Sequence, residues 1–270
     1  MKQLLMVPSR REAEASAALA AEYGLGFEFN DFFAPAVLDD EAARRQILAD
    51  YGRVSLPAFR TLHGAFFDVI PFSPDPRIRE IAGLRIGQSL QAAREIGASA
   101  VIFHTNYNPQ LNTPAYLAGW LRENTTFWSG ILGRNPDLSI YLENMFDASP
   151  ELLAQLSEPL SRYSNYGVCL DYAHASLSPV PPEVWAERLG RYVKHIHLND
   201  NDLVSDLHLA WGDGRIDRAG FYRAYARWLG GATVLLEVST PQLARRSLSV
   251  LAEEGFLSHF NHPQGGPISC

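Results

Sequence analysis

The sequence has very little cysteine and no long hydrophobic run at its start. Two cysteines, Cys169 and Cys270, occur among the 270 residues, which excludes a disulfide scaffold in practice and fits a reducing cytoplasm. The apolar run before Pro8 is too short for the core of a signal peptide or for a membrane span. We therefore interpret that run as a first β-strand and expect a cytoplasmic protein.

Positive charge is also scarce. The net charge is −7 and the sequence pI is near 5.6, so nothing in the overall charge favours nucleic acid or an anionic membrane as a partner. No G-x-G-x-x-G motif follows the first strand, which argues against a dinucleotide-binding fold. No linker or low-complexity segment marks a second domain. We expect one catalytic domain over residues 1–255 and an irregular surface tail over residues 256–270.

What the chain does contain is a regular alternation of strand-like and helix-like segments. Hydrophobic residues make up 47% of the composition, enough for a large core. Eight strand–helix units in a chain of this length predict an α/β protein that folds as a single (β/α)8 TIM barrel and not as an open doubly wound sheet. The predicted strands are residues 3–7, 25–29, 59–63, 99–104, 138–143, 166–171, 192–197 and 232–237.

Histidines and acidic residues follow most of the predicted strands. Because parallel strands bring their carboxyl ends to one face of a barrel, these side chains are expected to meet in one pocket. Imidazoles and carboxylates that converge there repel one another or stay hydrated unless a cation holds them, so the pattern predicts a divalent-metal site. The imidazoles among the ligands favour zinc or manganese over magnesium. The predicted ligands are His63, His104, Glu143, Asp171, His174, His197, Asp206, His208 and Glu237.

Two local motifs carry much of this prediction. In LDYAHA, Asp171 ends a strand and His174 follows closely, so one can bind metal while the other binds metal or substrate. In SDLHLAWGDG, Asp206 and His208 occupy alternate positions of an extended segment and can share a face. His195 is expected to be a buried, hydrogen-bonded core residue. The residues predicted to contact substrate are His174, Asn144, Asn199 and Arg215.

Two loops at the predicted catalytic face are unusually long. Residues 30–38 follow the second strand and residues 105–115 follow the fourth, and both mix aromatic residues with asparagine and proline. Such loops can cover a pocket and offer hydrogen bonds. Farther along, Trp120, Phe127 and Trp128 suggest a lid or a homodimer contact, with packing in the core as the alternative.

Taken in order, the motifs resemble the xylose isomerase-like TIM-barrel superfamily, which includes sugar isomerases, epimerases and endonuclease IV. The resemblance is clearest from His63 to Glu237. In the isomerase and epimerase branch it implies one divalent ion, with Glu143 and Glu237 acting as acid and base on the two faces of the sugar carbon. In endonuclease IV it implies three zinc ions. The one-ion set is Glu143, Asp171, His197 and Glu237, and the three-ion set is all nine residues named above.

The substrate side departs from endonuclease IV. The first strand of that enzyme ends in a His-Val-Ser type motif, whereas this chain reads MVPSR, and its basic loop after the second strand enters DNA. Here that loop carries Asp31, Asp39, Asp40 and Glu41 and no basic residue. Carboxylates that face a phosphate backbone oppose binding. The expected partner is therefore a small sugar or sugar phosphate, with DNA and membranes disfavoured.

These observations favour a divalent-metal-dependent isomerase or epimerase of a sugar or sugar phosphate. Glutamates near the metal would move a proton α to a carbonyl, and the metal would stabilise the enediolate. The first alternative is an endonuclease IV-like phosphoester hydrolase with a multinuclear zinc site, which the imidazoles of His63, His104 and His208 would support. The second is a barrel that binds metal or sugar without catalysis, and the presence of both Glu143 and Glu237 argues against it.

Overall fold

The chain forms a closed barrel of eight parallel strands. The computed structural model describes residues 2–67 and 69–260, and its strands pair in chain order until β8 closes on β1. This confirms the (β/α)8 prediction, and every strand overlaps the segment predicted for it. The strands are β1 (Leu4–Met6), β2 (Gly26–Phe29), β3 (Arg60–His63), β4 (Ala100–His104), β5 (Ser139–Glu143), β6 (Tyr166–Asp171), β7 (Val193–Leu198) and β8 (Thr233–Leu236).

Helices surround the barrel and cover its outer face. Among the residues that the structure describes, no helix is both long enough and apolar enough to cross a membrane. The helices are α1 (Ala13–Tyr23), α2 (Pro35–Leu38), α3 (Glu41–Tyr51), α4 (Pro76–Ile96), α5 (Pro114–Arg134), α6 (Glu151–Leu160), α7 (Tyr172–Leu177), α8 (Pro182–Leu189), α9 (Arg218–Ala224) and α10 (Pro241–Glu253).

Local signals in the sequence set the ends of several helices. The carboxylate of Asp75 accepts the backbone N–H of Arg77 at the start of α4, as an N-cap residue does. Gly24 and Gly97 end α1 and α4 at φ of 66° and 71°, a left-handed conformation that glycine adopts without steric penalty. The predicted loop over residues 30–38 is only partly irregular, since its end forms α2.

The register of the strands places predicted ligands side by side. His104 at the end of β4 is paired with Glu143 at the end of β5. Asp171 at the end of β6 is paired with His197 near the end of β7. Because parallel strands all present their carboxyl ends at the same face, these side chains gather above the barrel core.

Trp120 and Trp128 pack in the core and do not form the lid or dimer contact considered from the sequence. Both lie on α5 and each is 2% exposed. The ring of Trp128 lies 5.5 Å from that of Phe103, and the ring of Trp120 lies 5.8 Å from that of Tyr107, measured between centroids. Phe127 is partly buried against the same core. The helical repeat explains the difference, because residues at intervals of four recur on one side of a helix.

The packed domain extends past the boundary expected after residue 255. Phe256, Leu257 and Phe260 are buried, and the first two lie in a short 3₁₀ turn. Burial of these large apolar side chains outweighs the polar, glycine-rich character that suggested an irregular tail. The rest of the predicted tail, residues 261–270, lies outside the described residues.

Gly64 links the fold to the candidate site because it follows His63 at the end of β3. A Cβ atom at this position would lie 2.2 Å from Cε1 of Phe103, which is fully buried in the core. We expect Gly64→Ala to lower the free energy of unfolding by about 1–3 kcal/mol, the usual effect of overpacking. Chemical denaturation measures this change.

Gly87 in α4 provides the matched control, since a Cβ atom there would meet nothing within 4 Å. Gly87→Ala should leave the free energy of unfolding unchanged or raise it by about 0.5–1 kcal/mol, because alanine favours a helix over glycine. Equal stability of the two variants would contradict the packing described at Gly64.

Candidate metal centre

The predicted ligands meet at the carboxyl end of the barrel, where eight of them form three groups. Within each group, one ligand atom from every residue lies within 4.8 Å of the others. The ninth residue, Glu237, adjoins the central group and lines a cavity of about 660 Å³ above it. The first group is His63, His104 and Glu143, the central group is Glu143, Asp171 and His197, and the outer group is His174, Asp206 and His208.

In the first group, two imidazoles face one oxygen of Glu143. Nε2 of His63 lies 3.3 Å and Nε2 of His104 lies 3.7 Å from Oε2 of Glu143. Nδ1 of His63 lies 3.1 Å from the carbonyl oxygen of Gly64. Since a carbonyl oxygen only accepts, Nδ1 carries the hydrogen. Nε2 of His63 therefore presents its lone pair to a carboxylate oxygen unless it too is protonated.

In the central group, Nδ1 of His197 lies between two carboxylates. It is 3.3 Å from Oε1 of Glu143 and 3.3 Å from Oε2 of Glu237. Oδ1 of Asp171 accepts the backbone N–H of His174. Burial raises the pKa of Asp171 to about 7, an effect that His174 opposes and the two glutamates reinforce. The group thus concentrates negative charge around one imidazole nitrogen.

In the outer group, two imidazoles face Asp206 at the edge of the cavity. Nε2 of His174 lies 3.3 Å and Nε2 of His208 lies 3.1 Å from Oδ2 of Asp206. Their Nδ1 atoms lie 2.9 Å and 3.1 Å from the backbone carbonyl oxygens of Asn144 and Glu237. His208 has a φ of 47°, a conformation that costs a non-glycine residue on the order of 1–3 kcal/mol. The surrounding structure therefore imposes the placement of this side chain.

Buried atoms without hydrogen bonds indicate what the groups would bind. Both oxygens of Glu143, Oδ2 of Asp171, Nδ1 of His104 and Nδ1 of His197 are buried and form no hydrogen bond within residues 2–67 and 69–260. Leaving such an atom unsatisfied costs about 1–3 kcal/mol. A divalent cation between the imidazoles and carboxylates would satisfy the oxygens of Glu143 and Asp171 and Nδ1 of His197, and it would remove the repulsion between nitrogen lone pairs and carboxylate oxygens. Imidazole and carboxylate together form a donor set that can hold a divalent metal ion.

Comparison with known proteins places this geometry in a family. The profile of the xylose isomerase-like TIM-barrel family matches residues 17–254. The chain belongs to that family. An uncharacterised protein of Methanocaldococcus jannaschii, MJ1311, is 29% identical over an alignment of 167 residues, and the match covers 58% of this chain and 56% of that protein. The match therefore spans little more than half the length of that relative.

Solved structures in the family's fold resemble the chain over nearly its whole length. The TTHB071 protein of Thermus thermophilus, soaked with zinc chloride, is 29% identical with a TM-score of 0.73, covering 94% of this chain and 99% of that one. A D-tagatose 3-epimerase-like protein has a TM-score of 0.73 at 22% identity, covering 96% and 98%. Endonuclease IV of Thermus thermophilus has a TM-score of 0.57 at 19% identity, covering 93% and 97%. The last two likenesses show a shared fold.

In this member of the xylose isomerase-like family, the two asparagines predicted to contact substrate lie outside the cavity lining. Asn144 joins Asp171 through two hydrogen bonds of 2.9 Å, donating to its carbonyl oxygen and accepting its N–H. Asn199 is buried and donates to Oε2 of Glu237 at 3.4 Å. His174 does line the cavity. Both asparagines therefore hold candidate ligands in place, and their contact with substrate stays a prediction.

The arginines at the cavity differ from the one predicted. Arg215 is exposed and lies outside the cavity lining, whereas Arg10 and Arg11 line it. Arg10 lies 3.8 Å from Oδ1 of Asp31, and Oδ2 of Asp31 accepts a hydrogen bond of 2.6 Å from the hydroxyl of Tyr51. The two cavity arginines follow the MVPS segment directly, but nothing in the local pattern distinguishes them from surface charge.

Of the four acidic residues after β2 that were expected to face the substrate, Asp31 lines the cavity, and the other three lie outside its lining and are paired elsewhere. Asp39 forms an ion pair with Arg85, and Glu41 forms one with Arg45. The carboxylate of Asp40 accepts backbone N–H groups at the start of α3. Each charge is thus compensated locally, because the loop continues into a helix that uses the acidic residues at its first turn.

Glu28 is a buried carboxylate of the site that the sequence analysis missed. It lies on β2, with its oxygens 3.0 Å from Nε2 of His197 and 3.1 Å from Nε2 of His195. Burial raises the pKa of Glu28, but the two imidazoles more than offset this and hold that pKa below its usual range. His195 is the buried, hydrogen-bonded core residue that was predicted. In the sequence, the feature that marks Glu28 is its place as the single acidic residue of the otherwise apolar strand GFEF.

Metal binding at this centre is expected to tighten as the pH rises. Burial lowers the pKa of the imidazoles, but neighbouring carboxylates raise those of His63, His174 and His208, the last to about 10. His208 is therefore cationic at pH 7 in the metal-free protein, the shifts of His63 and His174 favour the same form, and a bound ion must displace the extra proton. Zinc affinity, measured by competition with a chelator, should rise from pH 6 to pH 8 by about tenfold per pH unit for each proton displaced.

His104 differs from these imidazoles, because burial lowers its pKa to about 3. It is therefore neutral and has no extra proton to release when a metal ion binds. His208→Gln should weaken zinc binding and reduce the number of protons released, whereas His104→Gln should weaken binding without changing that number. Calorimetric titration in buffers of different ionisation enthalpy counts the protons. An affinity that does not vary with pH would contradict these protonation states.

Proposed function

We propose that the chain is a divalent-metal-dependent isomerase that moves a proton next to the carbonyl group of a small sugar or sugar phosphate. Glu237 carries the proposal, since it is the glutamate of the metal centre that lines the cavity. Burial raises the pKa of Glu237, but His197 and His208 more than offset this and hold that pKa below its usual value. An ionised carboxylate at the cavity can act as a general base.

Glu143 has a different position and a different proposed role. It is 1% exposed, lies outside the cavity lining, and directs both oxygens at imidazoles. We assign it to metal binding, and a bound ion would stabilise the oxygen anion that forms when the substrate loses its proton. Interconversion of an aldose and a ketose moves a proton between neighbouring carbon atoms on one face of the substrate, and Glu237 alone can do this. Epimerisation would need a second proton donor on the opposite face, so we favour isomerisation.

The cavity is large enough for a monosaccharide or a sugar phosphate. Its volume is about 660 Å³, and the metal centre forms its floor. On one wall, Phe33 stacks on Phe66 with 4.3 Å between ring centroids, and Phe67 is 60% exposed beside them. A sugar can direct its hydroxyl groups at the polar floor and its C–H face at this aromatic wall. Arg10 and Arg11 offer charge for a phosphate group.

Phosphoester hydrolysis of a small substrate is the second candidate, and the first and outer groups favour it. Isomerisation requires one ion in the central group, whereas the additional imidazoles could hold further ions. Several cations around the attacking and leaving oxygens are typical of phosphoester hydrolysis. Within the described cavity lining, Arg10 and Arg11 are the only arginine or lysine residues. This is little positive charge for a nucleic acid, which binds through many phosphate contacts.

A comparison of Glu237→Gln with Glu143→Gln tests the proposal by separating proton transfer from metal binding. Each protein is loaded with zinc or manganese and incubated in D₂O with aldoses, ketoses and their phosphates, and NMR follows deuterium entry next to the carbonyl. Glu237→Gln should keep most of its metal and lose about 10²- to 10⁴-fold in exchange rate, the contribution of a general base. Glu143→Gln should lose metal, because two groups share this residue.

The metal-free wild-type protein is the control for both variants, and it should exchange no deuterium. Unchanged exchange in Glu237→Gln would overturn the assignment of the base. If the wild type exchanges no proton with any sugar but releases phosphate from small phosphoesters, and His63→Ala abolishes that release, hydrolysis replaces isomerisation as the function.

A further inference from the structure

The geometry points to Glu28 as the residue that holds His197 in the orientation in which Nδ1 can bind a metal ion. Glu28 lies outside the cavity lining and contacts the centre through His197, so it is a positioning residue. The inference rests on the proposed metal centre and not on the reaction. It holds whether the substrate is isomerised or hydrolysed.

Three histidines of the centre share a contact with a backbone carbonyl oxygen that His197 does not have. In His63, His174 and His208, Nδ1 lies 2.9–3.1 Å from a backbone carbonyl oxygen. Their Nε2 atoms face carboxylates of the site. Because the carbonyl accepts a hydrogen from Nδ1, it leaves the lone pair of Nε2 free for a metal ion and fixes the plane of the ring.

His197 is turned around relative to the other three. Its Nδ1 faces the carboxylates of Glu143 and Glu237, and its Nε2 lies 3.0 Å from Oε1 of Glu28. In the described part of the chain neither of these last two atoms forms a hydrogen bond, not even with the other, so their contact is a close electrostatic one between a carboxylate and a ring nitrogen. Glu28 therefore occupies the place that a backbone carbonyl occupies for the other histidines.

A carboxylate at this place has two consequences for His197. It keeps the hydrogen on Nε2, so that the lone pair of Nδ1 is directed at the central group. It also carries a negative charge, which makes the ring a stronger metal ligand than an uncharged acceptor would. The position needs a side chain because Nε2 points into the barrel, away from the loops that supply carbonyl groups above it.

Glu28 is itself held from two neighbouring directions. The hydroxyl of Thr61 on β3 donates to Oε2 at 2.6 Å, and Nε2 of His195 on β7 lies 3.1 Å from the same oxygen. Nδ1 of His195 lies 2.6 Å from Oγ1 of Thr233. Glu28, Thr61 and His195 are fully buried. These contacts occupy Oε2 and leave Oε1 for His197.

Glu28→Gln tests the inference because it keeps the shape of the side chain while it removes the charge. An amide N–H opposite Nε2 would favour the tautomer of His197 with hydrogen on Nδ1, where it blocks the metal ion. We expect the zinc affinity, measured by competition with a chelator, to fall about 10- to 100-fold, as it does when such supporting carboxylates are removed. No substrate is needed, so the result is independent of the proposed reaction.

Asp147→Asn is the matched control for replacing a buried carboxylate with an amide. Asp147 is 3% exposed, and its carboxylate accepts hydrogen bonds from Thr105 and the backbone of Met145, but from none of the nine candidate ligands. This variant should bind zinc as the wild type does. If it weakened zinc binding as much as Glu28→Gln does, the effect would be a general one and the inference would be wrong.

Substitutions of Thr61 provide a second test of the role of Glu28, which is needed if the Glu28→Gln protein does not fold. Thr61→Val removes the donor to Oε2 without changing the size of the side chain, and it should weaken zinc binding less than Glu28→Gln. Thr61→Ser retains the hydroxyl and should restore wild-type affinity. Equal affinity in Thr61→Val and the wild type would count against the role of Glu28.

NMR of histidine labelled with ¹⁵N gives a readout that a merely structural role would not move. In the zinc-loaded wild type, His197 should show a hydrogen on Nε2 and metal coordination at Nδ1. In Glu28→Gln, the Nε2–H signal should shift or disappear. Coordination of the wild-type His197 through Nε2, or wild-type zinc affinity in a folded Glu28→Gln, would overturn the inference.

Discussion

Glu143 is a carboxylate buried among imidazoles, and the rest of the site depends on how its charge is compensated. It is 1% exposed, and its oxygens lie 3.3–3.7 Å from ring nitrogens of His63, His104, His174 and His197. A buried charge is costly unless it is paired. In the metal-free protein, protonated imidazoles can neutralise the charge of Glu143. Metal cations can neutralise it more fully, because they also bind the neighbouring carboxylates. Protons and metal ions therefore compete for the same groups, and this competition is the reason for the expected pH dependence of metal binding.

The barrel makes such a concentration of polar groups tolerable. The strands form a closed sheet without edges, and apolar residues pack between the barrel and the helices. The stability from this packing offsets the cost of burying the polar groups of the site. Below the candidate ligands, the interior contains a second polar layer of Glu28, Thr61 and His195 in place of the branched apolar side chains usual there. That layer connects β2, β3 and β7 beneath the metal centre. The contact of this polar layer with His197 explains why polar residues occupy the interior here. Hydrophobic packing alone would not require them.

The strands and the convergence of the ligands were predictable because both follow local rules. A short apolar run that ends in histidine or an acidic residue indicates a strand end, and the parallel barrel then brings such ends together. Metal binding by these residues stays a prediction. The role of Glu28 was not predictable, since it depends on His197, which is far away in the sequence. The burial of Trp120 and Trp128 likewise depends on which face of α5 meets the barrel.

The most direct test of the central claim is a crystal structure of the zinc-saturated protein with data collected at the zinc absorption edge. We expect anomalous density in the central group, within bonding distance of Glu143, Asp171 and His197, and with Nδ1 of His197 directed at the ion. Further density in the first and outer groups would show how many ions share the site. Zinc-saturated crystals without anomalous density beside Glu143 would show that these residues do not form a metal centre.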